Sequence, residues 1–259
     1  MSIVLLTDYG NAEGYAGVLK GVIHRISPET PVLDLTHEIA PFDIIQGGFV
    51  LYQAYRYFPR GTIFVAVVDP GVGSERKPLL VQTENYYFIG PDNGLFTLVL
   101  HQEKVERIVH LTNPKYHLKS PSSTFHGRDI FAPAAAHLAN STVLENFGEE
   151  LGTYQRLSEF SPRVGDKEIL GTVISVDRFG NAVTNLTRAL LAERFPDLSF
   201  SVKVGKRSVK EMKTHYAEGA PKKPILLFGN SNLLEISVNQ GSAAEILGVK
   251  KGDEVKIKL

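Results

Sequence analysis

The 259-residue sequence has no cysteine and no tryptophan, and its 28 Lys and Arg balance its 28 Asp and Glu. Without cysteine there is no disulfide framework, no thiol nucleophile and no Cys-ligated zinc or iron–sulfur site. Without net charge there is no electrostatic case for binding nucleic acid or an anionic membrane surface. Long apolar runs are missing as well. The N-terminal MSIVLLTDYG has one short run, Ile3 to Leu6, and meets an acid at Asp8. That is too short for a signal peptide or a membrane span. The protein reads as cytoplasmic, acting on a small or weakly charged ligand. There is no Walker A and no G-x-G-x-x-G after a strand, so phosphate-rich nucleotides are not indicated. There is no HExxH and no histidine pair at helical spacing, so no metal site is expected.

What is present is ordinary for a globular enzyme: 43% hydrophobic and 22% charged residues, in a chain long enough for one large or two smaller domains. Strands are predicted over 2–6, 32–35, 62–68, 79–83 and 86–90. Between them Val18, Leu19, Val22, Ile23 and Ile26 repeat at helical spacing, and 43–58 reads as a second helix ended by Pro59 and Gly61. DNGLFTLVL predicts a third helix capped by Asp92 or Asn93. RDIFAPAAAHLAN (128–140) predicts a fourth, with Pro133 as a kink or first-turn proline. Alternation of apolar strands with helices predicts an α/β domain over 1–152, with a largely parallel sheet covered by helices. The polar stretch 153–168 reads as a linker. From 169 to 259, ILGTVISVD, FSVKVG, ILLFG, LLEISVN and DEVKIKL are short, closely spaced strands. Helix is limited there to Thr187–Arg194 and Ser242–Leu247, which predicts a small C-terminal β-barrel domain.

Three carboxylates stand just past apolar strands: Asp8, Asp69 and Asp177. In open α/β sheets ligands bind beyond the carboxyl ends of strands. One such aspartate alone is an ordinary turn or cap residue. Asp69 has more around it, because DPGVGSER bends on glycines and delivers Arg76 seven residues later. SSTFHGRDIF adds His126 in a polar break before a helix, a residue able to orient water or substrate. In DRFGNAVTN, Phe179 can stack on a flat ring, and the Asn181 amide has the donor and acceptor a purine edge needs. An Asn–Gly-type turn with a core phenylalanine explains the same residues. NSNLLEISVNQGSAA offers Ser231, Asn232 and Glu235 ahead of a short helix.

Taken in order, LLTDYG, VVDPGVGSER, PDNGLF, STFHGRDIFAPAAAHLA, DRFGN and SNLLEISVNQGSAA resemble the SAM hydroxide adenosyltransferase (DUF62) family, adenosine-forming S-adenosyl-L-methionine (SAM) hydrolases related to the fluorinase and chlorinase. The resemblance spans nearly the whole chain. It implies a homotrimer with active sites between subunits, SAM as substrate, adenosine and L-methionine as products, and no cofactor. It implies an Asp–Arg–His catalytic set at Asp69, Arg76 and His126, and a ribose-binding acid at Asp8. It also implies adenine contacts from Phe179 and Asn181 and methionine-end contacts from Asp177 and Ser231; Glu235 is a further substrate-binding candidate. Asn232 stands where the fluorinase has an arginine. Where the halide-using enzymes place a tyrosine, a threonine and a serine around the halide, this chain has Asp69, Val72 and Gly127. A carboxylate there repels an anion and accepts a proton from water. The expected nucleophile is therefore water, with Asp69 as proton acceptor, Arg76 holding that carboxylate ionised and His126 positioning water or loop. The rival readings are a non-catalytic nucleoside or SAM sensor and a halide-using transferase.

Overall fold

Ile3 to Leu6 become the core of β1 (Ile3–Thr7), which is buried on both faces. Ile3 and Leu5 pack toward one helical layer while Val4 and Leu6 pack toward the other. This two-sided burial is why the strand reads as an unbroken apolar run. In the computed structural model, which describes residues 1–258, the chain divides into one unit over Met1–Leu157 and a second from Ser158 onward.

The first unit adds β2 (Val32–Thr36), β3 (Ile63–Val67), β4 (Pro78–Thr83), β5 (Tyr87–Pro91) and β6 (Val105–His110). The sheet order is β2-β1-β3-β5-β4-β6. Pairings β1/β2, β1/β3 and β3/β5 are parallel, while β4/β5 and β4/β6 are antiparallel. The antiparallel part has a simple cause. Only Glu84 to Tyr86 separate β4 from β5, and a parallel crossover needs a dozen or more residues. Helix α1 (Tyr15–Ile26) and α4 (Ala132–Ala139) share one core layer, with α2 (Ile44–Ala54) and α3 (Thr97–Gln102) on the other.

Three local expectations shift. The second helix stops at Ala54 and tightens into a 3₁₀ turn, Tyr55–Tyr57, ahead of Pro59. The third begins at Thr97 without a side-chain cap. Asp92 instead accepts from the Gln155 N–H at 2.7 Å, and Asn93 bonds Val68 O and Leu95 N. The fourth splits into a π-turn, Gly127–Phe131, and α4, with Pro133 in the first turn rather than at a kink.

The second unit holds β7 (Arg163–Val164), β8 (Glu168–Val176), β9 (Ala182–Thr187), β10 (Val202–Val204), β11 (Arg207–Val209), β12 (Pro224–Phe228), β13 (Leu233–Val238) and β14 (Glu254–Lys258). The path β11-β10-β14-β8-β9-β13-β12 is antiparallel throughout, with β7 beside β8. Just past β11, Glu211 O accepts from Leu226 N at 2.9 Å and Leu226 O accepts from Lys213 N at 2.8 Å. Those bonds bring the two ends of the sheet together as a nearly closed barrel. Thr187 caps α5 (Arg188–Arg194) and Ser242 caps α6 (Ala243–Leu247).

Candidate active site

β3 delivers buried Val67 and Val68 to a loop that opens with Asp69. The loop turns sharply, with Val72 N on Asp69 O and Ser74 N on Gly71 O. Gly73 has φ +79°, and a Cβ there would lie 2.3 Å from Ser123 O. Only glycine allows that approach between the Asp69 loop and the loop before His126.

The turn brings Arg76 back onto Asp69. Arg76 Nε donates to Asp69 Oδ1 at 3.0 Å and to Oδ2 at 2.9 Å, and Nη2 donates to Oδ2. The two side chains are 8% and 5% exposed, so this is a buried, charge-assisted pair. The Arg76 guanidinium also lies 5.4 Å from the centre of the Phe131 ring. Arg76 Nη2 donates further to His126 Nδ1 at 2.8 Å. A guanidinium offers no acceptor, so His126 Nδ1 must accept and the ring is neutral with its proton on Nε2. Burial and then the Arg76 charge push the His126 pKa down, against Asp69 and Asp129. Counting acceptor sites, Asp69 Oδ2 takes two hydrogen bonds and Oδ1 only one, so Oδ1 keeps a lone pair for another donor.

The His126 loop is fixed by buried Asp129. Asp129 accepts from Ser122 N at 2.7 Å and pairs with Arg128, which holds its carboxyl below the ordinary range although burial opposes this.

Asp8 follows β1. Its Oδ2 accepts from Phe42 N at 2.9 Å. Burial raises its pKa, the Phe42 N–H opposes that, and the Asp69 charge adds to it. Phe42 is exposed and held at φ +66°, uncommon for a large side chain. Asp8, Tyr9, Phe42, Asp69, Val72 and Gly127 all line one cleft of about 860 Å³ in the first unit. The fold therefore gathers Asp8, Asp69, Arg76 and His126, residues spread from 8 to 126 in sequence.

The remaining candidates lie in the second unit. Asp177 organises the turn between β8 and β9: Oδ1 accepts from Phe179 N at 2.9 Å and Asn181 N at 2.8 Å, and Oδ2 from Asn181 Nδ2 at 2.8 Å. Asn181 is buried with its amide nitrogen committed to Asp177, whereas Phe179 is 78% exposed. Gly180 has φ +81°, and a Cβ there would lie 2.2 Å from Ser242 Oγ. Ser231 sits in the tight turn joining β12 and β13, where Asn232 N bonds Gly229 O. Buried Glu235, on β13, accepts from the half-exposed Tyr216 hydroxyl at 2.9 Å. Burial raises the Glu235 pKa, the Tyr216 hydroxyl opposes this and the Asp177 charge adds to it. Tyr9 and Phe42 line the first unit's cleft and Tyr216 bonds Glu235 within the second unit, and sequence reasoning passes over all three. The one available signal was position, since Tyr9 directly follows Asp8 and Phe42 sits between Pro41 and Asp43. Among the described residues no cluster of three His, Asp or Glu could hold a metal ion.

The chain has relatives among known proteins. The profile of the SAM hydroxide adenosyltransferase N-terminal domain matches residues 3–148, and that of the C-terminal domain residues 171–256. A Thermus thermophilus protein named (R)-S-adenosyl-L-methionine hydrolase is 38% identical over 98% of this chain and 98% of its own. A fluorinase from Nocardia brasiliensis is 25% identical over 72% of this chain and 71% of its own. The solved structure of an uncharacterized conserved protein from Thermotoga maritima superposes with a TM-score of 0.88 at 39% identity, covering 98% of this chain and 99% of that one.

Proposed function

The chain belongs to the SAM hydroxide adenosyltransferase family, and from that premise we propose that it hydrolyses SAM to adenosine and L-methionine. The observation that carries the reading is the Asp69–Arg76–His126 chain, in which Asp69 lines the cleft with a lone pair left on its Oδ1. A sulfonium leaves as a neutral thioether, so its departure needs no general acid. Water is a weak nucleophile and does need help. In the proposed step the water oxygen bonds to the ribose 5′ carbon as the C5′–S bond breaks. The bonding pair passes to sulfur and the water proton to Asp69 Oδ1. Arg76 fixes that carboxylate at both oxygens, and neutral His126 fixes Arg76. Asp8 keeps Oδ1 for ribose hydroxyls, which sets the line of attack on C5′.

Phe179 and Asn181 take the adenine in this reading, with Phe179 as an exposed stacking face and buried Asn181 as the shape of its turn. Asp177, Ser231 and Glu235 serve the methionine end. The proposal needs no cofactor, because SAM brings its own activated carbon. It includes a homotrimer in which the Phe179 loop of one subunit completes the cleft of another. The exposed Tyr15, Val18 and Leu33 on α1 and β2 are apolar surface for such contacts. It also includes a cytoplasmic setting, where this substrate is made, with neither nucleic acid nor membrane as partner. No described helix is long and apolar enough to cross a membrane.

Incubation with SAM and chromatography of the products tests the proposal. Adenosine with methionine supports it. A 5′-halo nucleoside formed with added halide, or bound but intact SAM, contradicts it.

A further inference from the structure

Tyr9 has a place in the cleft that the proposed chemistry leaves unused. It lines the same cleft as Asp69 and Val72. Its hydroxyl rests directly on Gly127: a Cβ at that position would lie 2.4 Å from the Tyr9 oxygen and 3.3 Å from Cζ. Glycine at 127 is thus the space the phenol occupies. The ring is held edge-on by Phe125 at 5.6 Å and Tyr15 at 6.1 Å, which themselves meet at 5.4 Å. The backbone is held too, with Tyr9 N donating to Thr7 Oγ1, which is bonded to His37 Nδ1 at 2.8 Å. This tyrosine is therefore not free to swing away from Gly127. Among the described residues its hydroxyl forms no hydrogen bond. Burial, with the charges of Asp8 and Asp69, holds the phenol in its protonated form against the pull of Arg76, so it has a proton to donate.

We propose that Tyr9 is the residue that positions and sizes the nucleophile: its hydroxyl hydrogen-bonds the water that Asp69 deprotonates, and its ring fills the space beside Gly127 that a larger nucleophile would need. This rests on the hydrolase reading above. The argument is one of partners and volume. A water held by Asp69 Oδ1 alone has one fixed contact, and a second contact from Tyr9 fixes its lone pair toward C5′. Val72 adds only apolar surface, whereas the Tyr9 phenol brings a donor to the cleft that Asp69 also lines.

The test uses Tyr9→Phe, which removes only the hydroxyl, and Tyr9→Ala, which also opens the volume. Each is incubated with SAM in water and in water containing methanol. In the methanol reaction the alcohol oxygen bonds to C5′, the C5′–S pair goes to sulfur and the alcohol proton goes to Asp69, giving 5′-O-methyladenosine and methionine. Tyr9→Phe is expected to lower kcat about 10-fold, the worth of one hydrogen bond, with KM within about 2-fold. Tyr9→Ala is expected to form 5′-O-methyladenosine alongside adenosine, while the wild type forms adenosine alone. Tyr9→Leu serves the same purpose if the alanine variant does not fold, and adenosine affinity by calorimetry confirms an intact cleft. Wild-type kcat in Tyr9→Phe, or a wild-type product ratio in the enlarged variants, overturns the inference while the hydrolase reading stands. No adenosine from the wild type overturns the hydrolase reading and the inference with it.

Discussion

Arg76 Nη2 reaches two partners at once, Asp69 Oδ2 and, at 2.8 Å, His126 Nδ1. One guanidinium thus orders a carboxylate at the end of β3 and an imidazole at the start of the π-turn. The consequences can be tested separately at each of the three residues.

Asp69→Asn keeps the size of the side chain and removes the proton acceptor. It is expected to lower kcat by about 10²–10⁴-fold, the usual range for a lost general base. Adenosine binding, which the account assigns to Asp8 and the aromatic residues, should persist. Steady-state kinetics and calorimetry read the two effects independently, and a wild-type rate removes Asp69 from the role.

Arg76→Ala leaves a buried carboxylate without its partner. Loss of one member of a buried pair costs about 3–5 kcal/mol. Thermal unfolding should show a marked fall in Tm, together with lost activity. Arg76→Lys restores the charge but not the fork, so stability should recover further than turnover.

An acid limb in the pH profile is the expected signature of His126. Its folded pKa is depressed by burial and by Arg76, so the unfolded chain binds more protons than the folded one between the depressed value and the ordinary 6.5. Stability therefore rises with pH across that window and is lost as pH falls through it. Activity should fall over the same interval, because protonated His126 no longer accepts from Arg76. In His126→Asn the inflection should disappear. An acid limb that survives this substitution unchanged assigns it to another group.

Gly73→Ala places a Cβ 2.3 Å from Ser123 O at φ +79°. Strain of this kind costs about 1–3 kcal/mol. The Asp69 and His126 loops should separate, lowering kcat more than nucleoside affinity. Equal kcat in Gly73→Ala would mean that this close approach does not position the site.

Much of this fold is legible in the sequence. β1 and β3 announced themselves because both faces are covered, leaving no polar position to break the run. β9 was missed because AVTNLT carries Thr184 and Asn185, which a sequence reading takes for surface. Both are buried and bonded, Thr184 to Leu234 O and Asn185 to Thr172 N and Glu159 O. β6 was missed because Glu106 and Arg107 interrupt its pattern, and only Ile108 and Val109 enter the core. In the site, Asp69 and Arg76 were visible as a strand-end acid and a loop arginine seven residues apart. Their link to His126 was not visible as geometry, since 50 residues separate Arg76 from it. The packing of Tyr9 on Gly127 was not readable at all, because a glycine shows no sign of what fills its missing side chain.

The central claim is that water, deprotonated at Asp69, attacks the ribose 5′ carbon of SAM. Turnover in ¹⁸O-labelled water followed by mass spectrometry tests it most directly. The account predicts one ¹⁸O in the adenosine product and none in the methionine, with both products falling together in Asp69→Asn. Label in methionine, unlabelled adenosine or SAM recovered intact would contradict it.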